Sequence, residues 1–155
     1  EGRIRQTVIE KNLLDTVIGL PANLFYGTSI PACIMVFKKN RAINDVLFID
    51  ASGKDSEGNF RYIKDKNQNK LGHEHIKNIL DAYTVRQDVE KFAHVASYDE
   101  IKGNDYNLNI PRYVDTFEEE ELIDIEEVQG NIERIKTELA EVESQMEKYL
   151  IELGL

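Results

Sequence analysis

The fold is decided by the stretch LPANLFYGTSIPACIMVF, residues 20–37. It follows one short apolar run, TVIGL, and ends in another, ACIMVF. Runs of this length that are interrupted by turn residues, here Pro21 and Pro31, predict buried strands. Between the two predicted strands lies a loop that carries two adjacent aromatic residues, Phe25 and Tyr26, in a part of a chain that usually faces water.

A third predicted strand follows TVIGL and ACIMVF along the chain. VLFIDAS is a further apolar run, and only the short turn NRAIND separates it from ACIMVF. We expect ACIMVF to be a central strand and to pair with VLFIDAS as an antiparallel hairpin. Before the first strand, Ile4, Val8 and Leu14 recur near helical spacing and predict a helix over residues 2–14.

The segment that follows VLFIDAS is predicted to contain a polar surface excursion and then helices, a strand and an extended stretch. Residues 53–72 are polar and rich in glycine and asparagine, which indicates a surface excursion, with a short hairpin around NFRYI. A helix follows, with Ile76, Ile79, Leu80 and Tyr83 on one face, and TVRQDVEKFAHV is predicted to form a short helix that leads into a strand. A brief helix runs from Ser97 to Gly103, with Glu100 in capping-box spacing. The segment YNLNIPRYVD is predicted to be extended around Pro111.

Charge divides the chain into two parts. Its 155 residues carry a net charge of −10, yet residues 1–114 hold 16 Lys and Arg against 15 Asp and Glu, whereas residues 115–155 hold 3 against 14. Neither part has the surplus of cations that a free-standing DNA-binding domain needs.

The single cysteine, Cys33, cannot form an internal disulfide, and its apolar neighbours predict a buried position in a cytoplasmic protein. We expect no membrane span and no signal segment.

The acidic part contains a heptad pattern. Apolar residues recur at alternating steps of three and four from residue 125 onward, which predicts a long helix with a narrow apolar seam. The seam is formed by Ile125, Val128, Ile132, Ile135, Leu139, Val142, Met146, Tyr149 and Leu153. Glu118–Glu121 would form its first turn, where their negative charges interact favourably with the positive end of the helix dipole. Such a helix packs on its own domain or on a partner, and the narrow stripe favours a partner.

Complete catalytic or metal-binding motifs are absent from the sequence. It has no glycine-rich phosphate loop, no cysteine pair and no nucleophile elbow. His73 and His75 could begin a metal site, but polar surface residues are the default interpretation. Asp50 ends a predicted strand. Catalytic carboxylates are found at such positions in α/β folds, and so are polar turn residues, so both interpretations of Asp50 stay open. Phe25 is either a plug for the sheet edge or a ring that stacks on a planar ligand, and stacking on a base is worth about 1–3 kcal/mol.

Three segments resemble one known family. IRQTVIEKNLLDTVIGLPANLFYGTSIPACIMVFKKN, VLFIDAS and EIKGNDYNLNIPRYVD are similar, in this order, to the modification subunit of type I restriction-modification systems, and YLIELGL resembles its C-terminus. That subunit is an adenine-N6 DNA methyltransferase. The resemblance implies an α/β fold: the C-terminal part of a Rossmann-like sheet, with TVIGL and ACIMVF as its last two, antiparallel strands, followed by helices and a long coiled-coil-like helix.

The resemblance also implies roles for the loop. Phe25 matches the aromatic residue that lines the pocket for a flipped target base, Tyr26 is the second candidate, and Gly27 allows a tight turn. The family's S-adenosylmethionine turn and its Asn/Asp-Pro-Pro-aromatic motif do not occur here. We therefore expect neither catalytic nor cofactor-binding residues, and no methylation by this chain alone. Since it begins at Glu1, we expect it to be a piece of a longer protein.

The Asn-rich segment is a family signature without an assigned role. Asn107 and Asn109 either hydrogen-bond the backbone or, like Arg112 and Tyr113, contact DNA or a partner subunit. We expect three regions: the end of the catalytic domain (residues 1–52), the excursion with its helices and the Asn-rich segment (53–114), and an assembly helix (115–155).

The partners implied by the resemblance are the specificity subunit, a second modification subunit and the restriction subunit, with DNA bound through the assembled complex. Single-chain fusions of these subunits are a variant of this interpretation. The alternative is a non-enzymatic module in which the loop aromatics belong to the core and the coiled-coil helix carries the function.

Overall fold

The computed structural model describes residues 2–66, 68–115 and 125–153, in two compact units, Glu1–Phe117 and Glu118–Leu155. The first unit contains α1 (Gly2–Glu10), β1 (Leu14–Gly19), β2 (Cys33–Phe37), β3 (Asp45–Asp50), α2 (His73–Val85), β4 (Ala93–Ser97), α3 (Tyr98–Gly103) and a 3-10 turn (Ile110–Arg112). The second contains α4 (Ile125–Glu152). No helix in the described ranges has the length and apolarity needed to cross a bilayer.

The strands form one mixed sheet in the order β2-β1-β3-β4. β1 pairs antiparallel with β2, with Gly19 opposite Cys33, and parallel with β3, with Thr16 opposite Leu47. β4 lies antiparallel to β3 on the far edge. The predicted antiparallel pairing of TVIGL with ACIMVF is therefore present, and the α/β class is confirmed.

The predicted hairpin between β2 and β3 is wrong, because β1 lies between them. All six residues of β1 are buried, so this strand takes the central position. The connection from β2 to β3 passes the start of β1, where Lys38 N–H donates to Leu13 O at 2.9 Å and Arg41 Nη1 donates to Leu14 O at 2.6 Å. A turn held to the backbone of a third strand cannot close a two-stranded hairpin.

β2 is an edge strand rather than a central one. Its sequence CIMVF is apolar on both faces, yet Ile34, Met35 and Phe37 keep 49%, 40% and 55% of their surface exposed. Cys33 is exposed as well, so its predicted burial is wrong in this structure. A strand with two apolar faces is typical of a sheet interior, and here four of the five residues of β2 are exposed and its outer edge has no partner strand among the described residues.

Two cores form on opposite faces of the sheet, because successive strand residues point to opposite sides. On one face, Val17 and Phe48 pack with Ile9 of α1 and Ile101 of α3. On the other, Ile18, Leu47 and Ile49 pack with α2 and Phe92. The sheet is thus the middle layer of three, the arrangement expected for an α/β domain.

The helix predictions hold with changed bounds. α1 ends at Glu10 rather than at residue 14, since Asn12 adopts a positive φ of 50° and Leu14 already belongs to β1. α3 is confirmed, and the Ser97 hydroxyl caps it by accepting from Glu100 N–H at 3.2 Å.

Other predictions require correction. Arg86, with a φ of 52°, ends α2, and residues 86–92 form an irregular connection with a bridge at Val89 and a turn at 90–92 rather than the predicted short helix. In the segment predicted to be extended, Ile110–Arg112 form a 3-10 turn, because proline fits the first positions of a helical turn, where no N–H is needed. Glu118–Glu121 lie outside the described residues.

A partly buried ion cluster lies at the start of β1, around the buried side chains of Asp15 and Arg41. It consists of Asp15, Lys38, Arg41, Asp45 and Arg86. The Arg41 side chain, 7% exposed, links Asp15 (Nε to Oδ1, 3.1 Å) with Asp45 (Nη2 to Oδ1, 2.9 Å). Lys38 approaches Asp15 Oδ2 at 3.1 Å. Burial raises the pKa of Asp15, but hydrogen bonds from Lys38 and Thr16 and the charges of Arg86 and Lys38 outweigh it and lower that pKa.

Acid should therefore destabilise the domain through Asp15. A carboxyl whose pKa is lowered in the folded state stabilises it above its unfolded value of 3.8, and that contribution is lost as pH falls through the lower folded pKa. We expect the free energy of unfolding, measured by urea titration, to fall below about pH 4. The Asp15→Asn variant should show a shallower fall in this range than Asp105→Asn at an exposed position. Equal slopes would contradict this assignment.

Candidate functional site

The aromatic loop, residues 20–32, connects β1 to β2 and is closed at its base by Leu20 N–H donating to Ala32 O at 2.9 Å. Its first half is fixed to the polar excursion. The side chain of Asn69 donates to Ala22 O at 2.8 Å, the backbone N–H of Asn69 donates to Asn23 O at 2.8 Å, and Gln68 Nε2 donates to Leu24 O at 2.9 Å. Leu24 packs on the α2-side core.

The second half of the aromatic loop projects into solvent. Phe25 is 53% exposed and Tyr26 is 92% exposed, directly after the fixed residues. Gly27 follows with a φ of +76°, a conformation that a side chain would strain, which agrees with the tight turn predicted there. The loop thus presents two rings from a fixed base, and neither ring belongs to a core. This location disfavours the interpretation of Phe25 as a plug for the sheet edge.

The Asn-rich segment is divided between core and surface. Tyr113 is buried, and its ring stacks on Phe48 with centroids 3.9 Å apart and planes at 9°. Its hydroxyl donates to Asn107 O, while Asn107 Oδ1 accepts from Asn109 N–H at 3.0 Å. Tyr113 therefore holds the segment to the sheet and offers no ring for DNA. Of the four predicted contact residues, Arg112 and Asn109 remain exposed.

The carboxyl ends of β1 and β3 lie at one edge of the sheet, the usual place for a cofactor in an open α/β fold. Asp50 ends β3 there and is 5% exposed. Its Oδ1 accepts from the Ser52 backbone N–H at 2.9 Å and from the Ser52 hydroxyl. The carboxylate closes a local turn, so the structure favours the polar-turn interpretation of Asp50.

The histidine pair begins α2. His75 Nδ1 accepts from Gly72 N–H at 3.0 Å and thus caps the helix. Within the described residues, no group of three His, Cys, Asp or Glu side chains could hold a metal ion.

The apolar seam of α4 is exposed along its described length. Its exposed fractions are 42% for Val128, 46% for Ile132, 56% for Ile135, 55% for Leu139, 60% for Val142, 57% for Met146 and 63% for Tyr149. The predicted helix is present, but the side-chain environment of Ile125 is not described. A seam this long leaves several large side chains in water unless a partner covers it.

Comparison with known proteins identifies relatives over most of the chain. A family model described as N-6 DNA Methylase matches residues 1–122. The type I restriction enzyme MjaVII methylase subunit of Methanocaldococcus jannaschii is 35% identical over 145 residues, 92% of this chain and 24% of its own. The MpnII methylase subunit of Mycoplasma pneumoniae is 34% identical over 87% of this chain and 24% of its own. The chain spans about a quarter of the length of these relatives.

Two solved structures are similar to this one. The type I restriction-modification system methyltransferase subunit from Streptococcus thermophilus is 55% identical, with a TM-score of 0.69, over 75% of this chain and 23% of its own. A second structure, from work on complex assembly and conformational transition of a type I system, has a TM-score of 0.52 over 94% of this chain and 31% of its own. At 19% identity it supports the fold alone.

Proposed function

The chain belongs to the N-6 DNA Methylase family, and on that premise we propose that it is the C-terminal portion of a type I restriction-modification methylase subunit. The complete protein transfers a methyl group from S-adenosylmethionine to the N6 atom of adenine in DNA. The observation that carries this proposal is the aromatic loop: a fixed turn between two antiparallel strands that presents Phe25 outward.

Phe25 supplies one wall of the pocket for the extruded adenine. An enzyme that modifies a base inside a duplex must first extrude it, which costs a few kcal/mol. Stacking on an aromatic face returns about 1–3 kcal/mol per base. Because residues 22–24 are hydrogen-bonded to the excursion, little loop entropy is lost when the ring meets the base. Tyr26, the more exposed ring, is the second candidate for this wall.

S-adenosylmethionine supplies the methyl group when bound, but the residues of this chain do not fit it. Asp50 is buried, and its Oδ1 already accepts two hydrogen bonds from Ser52, so this oxygen closes a local turn instead of meeting a ribose. The three prolines, at positions 21, 31 and 111, form no Pro-Pro motif. We assign both cofactor binding and activation of the amino group to protein outside this chain.

The free edge of β2 supports this division of labour. Ile34, Met35 and Phe37 are exposed apolar side chains on an edge strand, which further strands and helices of the catalytic domain would bury. In this proposal residues 1–52 end the catalytic domain, residues 53–114 support the aromatic loop, and residues 115–155 serve assembly. The assembled enzyme is cytoplasmic.

α4 provides the assembly surface. We assign its seam to the long helices of the specificity subunit, in a complex that also holds a second modification subunit and the restriction subunit and that binds DNA as a whole. The acidic residues beside the seam suit a basic or mixed partner and repel stray DNA. The exposed seam equally favours a second candidate function, a non-enzymatic coiled-coil interaction module.

The proposed function is tested by a radiolabelled methyl-transfer assay. The complete parent subunit, assembled with its specificity subunit, should methylate adenine N6 in DNA that carries the recognition site. The 155-residue chain alone should show no turnover and no saturable S-adenosylmethionine binding, because the residues for both lie elsewhere. Turnover by the chain alone would contradict this division of labour. Absence of adenine methylation by the assembled parent would favour the interaction module.

Charged residues in the apolar seam of α4 should weaken association through this helix. We expect the chain alone to self-associate, and Ile135→Glu with Leu139→Glu to weaken that association roughly 100-fold or more, because each buried side chain contributes about 1.5–3 kcal/mol. Sedimentation analysis measures the mass. The matched control, Thr137→Glu with Ala140→Glu, adds the same charge away from the seam and should preserve the mass. Equal masses for all three proteins, with unchanged helix content, would contradict a seam that drives association.

A further inference from the structure

A cleft lies between α2 and the polar excursion. One wall is the excursion loop of residues 55–61, the other is α2, and Phe92 forms part of its floor. This α2 cleft has a volume of about 730 Å³, within the range of ligand and peptide sites. Phe25 and Tyr26 do not line it, so the role proposed for the aromatic loop leaves it unexplained.

The floor of the α2 cleft is apolar. Ile79, Ala82 and Val85 come from α2, and Val89 and Phe92 come from the segment before β4. Val85 and Val89 keep 60% and 46% of their surface exposed. Apolar side chains gathered in a concave surface gain from an occupant that removes them from water.

The rim of the α2 cleft is acidic. Five carboxylates line it, against one cation: Asp55, Glu57, Glu74, Asp81 and Glu90 face Arg61. The guanidinium of Arg61 lies 4.7 Å from the centroid of the Phe92 ring, and its Nη1 donates to Lys91 O at 2.7 Å. It is therefore already engaged at the floor.

Two lysines lie beside Phe60, one of the residues that line the cleft. Lys54 and Lys64 lie 5.3 Å and 4.9 Å from the centroid of Phe60. Along the α2 and Glu90 side, none of Glu74, Asp81 and Glu90 forms an ion pair with any described residue. Their charge is free to act on an occupant.

This charge decides which occupant fits. Nucleic acid would place phosphates against five carboxylates, and the acidic C-terminal part of this chain has the same sign. A segment with lysine or arginine beside aliphatic side chains complements both rim and floor. We propose that the α2 cleft docks such a basic, aliphatic segment of a partner protein. The proposal is independent of the function assigned to the aromatic loop.

Fluorescence anisotropy with a labelled peptide, acetyl-Lys-Leu-Arg-Leu-Lys-Leu-Arg-amide, tests the proposal on the full 155-residue chain. The chain should bind it saturably, and Asp81→Lys with Glu90→Lys should weaken binding at least about tenfold. Val85→Ser with Val89→Ser, which removes apolar floor at exposed positions, should weaken it about fivefold. The matched control, Glu133→Lys with Glu141→Lys on α4, makes the same change in net charge and should alter binding less than about twofold.

The proposal would be overturned by an absence of saturable binding to the unaltered chain, by equal losses in the cleft and control variants, or by displacement of the peptide by S-adenosylmethionine. A peptide with serine in place of leucine should bind about fivefold more weakly, because it leaves the floor uncovered. Equal binding of the two peptides would reduce the site to unspecific charge attraction and would also overturn it. Circular dichroism and thermal unfolding of each variant separate lost binding from lost fold.

Discussion

Replacing Arg41 with alanine is expected to lower the free energy of unfolding by about 3–5 kcal/mol, the cost typical of breaking a buried ion pair. The Arg41 guanidinium contacts Asp15 and Asp45 and also donates to Asn12 Oδ1 at 2.7 Å and Leu14 O at 2.6 Å. Its removal leaves Asp15, whose side chain is 5% exposed, with only Lys38 and Arg86 as cationic partners.

Urea titration at neutral pH measures this loss, with Lys39→Ala as the control. Lys39 is a neighbouring exposed cation, so its removal should change the free energy of unfolding by less than about 0.5 kcal/mol. Arg41→Lys should recover only part of the loss, because an ammonium group cannot reach both carboxylates and the carbonyls of Leu14 and Asp45 as the planar guanidinium does. A loss below about 1 kcal/mol for Arg41→Ala would show that the ion cluster does not hold the β2–β3 connection in place.

Replacing Phe25 with alanine in the complete, assembled enzyme is expected to lower kcat/KM for DNA methylation roughly 5- to 150-fold. This range corresponds to the loss of about 1–3 kcal/mol of stacking on the extruded base. About half of the Phe25 surface is exposed and the residue belongs to neither core, so the free energy of unfolding should fall by less than about 1 kcal/mol.

Variants in the same loop provide the controls for this loss. Phe25→Tyr keeps a ring and should retain most activity, whereas Phe25→Leu should fall between Phe25→Tyr and Phe25→Ala. Ile30→Ala removes another exposed apolar side chain, 72% exposed, and should leave the rate unchanged. If Phe25→Ala is fully active and Tyr26→Ala is not, the wall belongs to Tyr26. If both are fully active, the aromatic loop has no part in holding the base.

Local patterns predicted the elements better than their arrangement. The Ser97–Glu100 spacing predicts α3 because helix capping depends only on residues close in the sequence. Heptad spacing predicts α4 because it too is a local pattern. The β2–β3 hairpin failed because strand order depends on contacts that are distant along the chain. Arg86 joins the ion cluster from 71 residues beyond Asp15, and no local pattern indicates that contact.

Burial was predicted least well where the sequence alone suggests a covered surface. The apolar run of β2 predicts a central strand, yet Cys33 and Ile34 are exposed because β2 lies at the sheet edge and contributes to neither core. Tyr113 is polar enough to suggest a contact at the surface, but its ring is stacked on Phe48. For Phe25 the sequence left two interpretations open, a plug for the sheet edge and a stacking ring. The α2 cleft joins residues from three separated segments and so has no local signature.

Photocross-linking tests the proposed base pocket most directly. DNA with 5-iodouracil in place of the target adenine is bound to the assembled enzyme and irradiated, and mass spectrometry locates the adduct. If the aromatic loop grips the extruded base, the adduct forms on the ring of Phe25, with Tyr26 as the second candidate, and disappears when the residue that carries it is replaced by alanine. Adducts found only outside residues 20–32, from a base that is demonstrably extruded, would contradict that role.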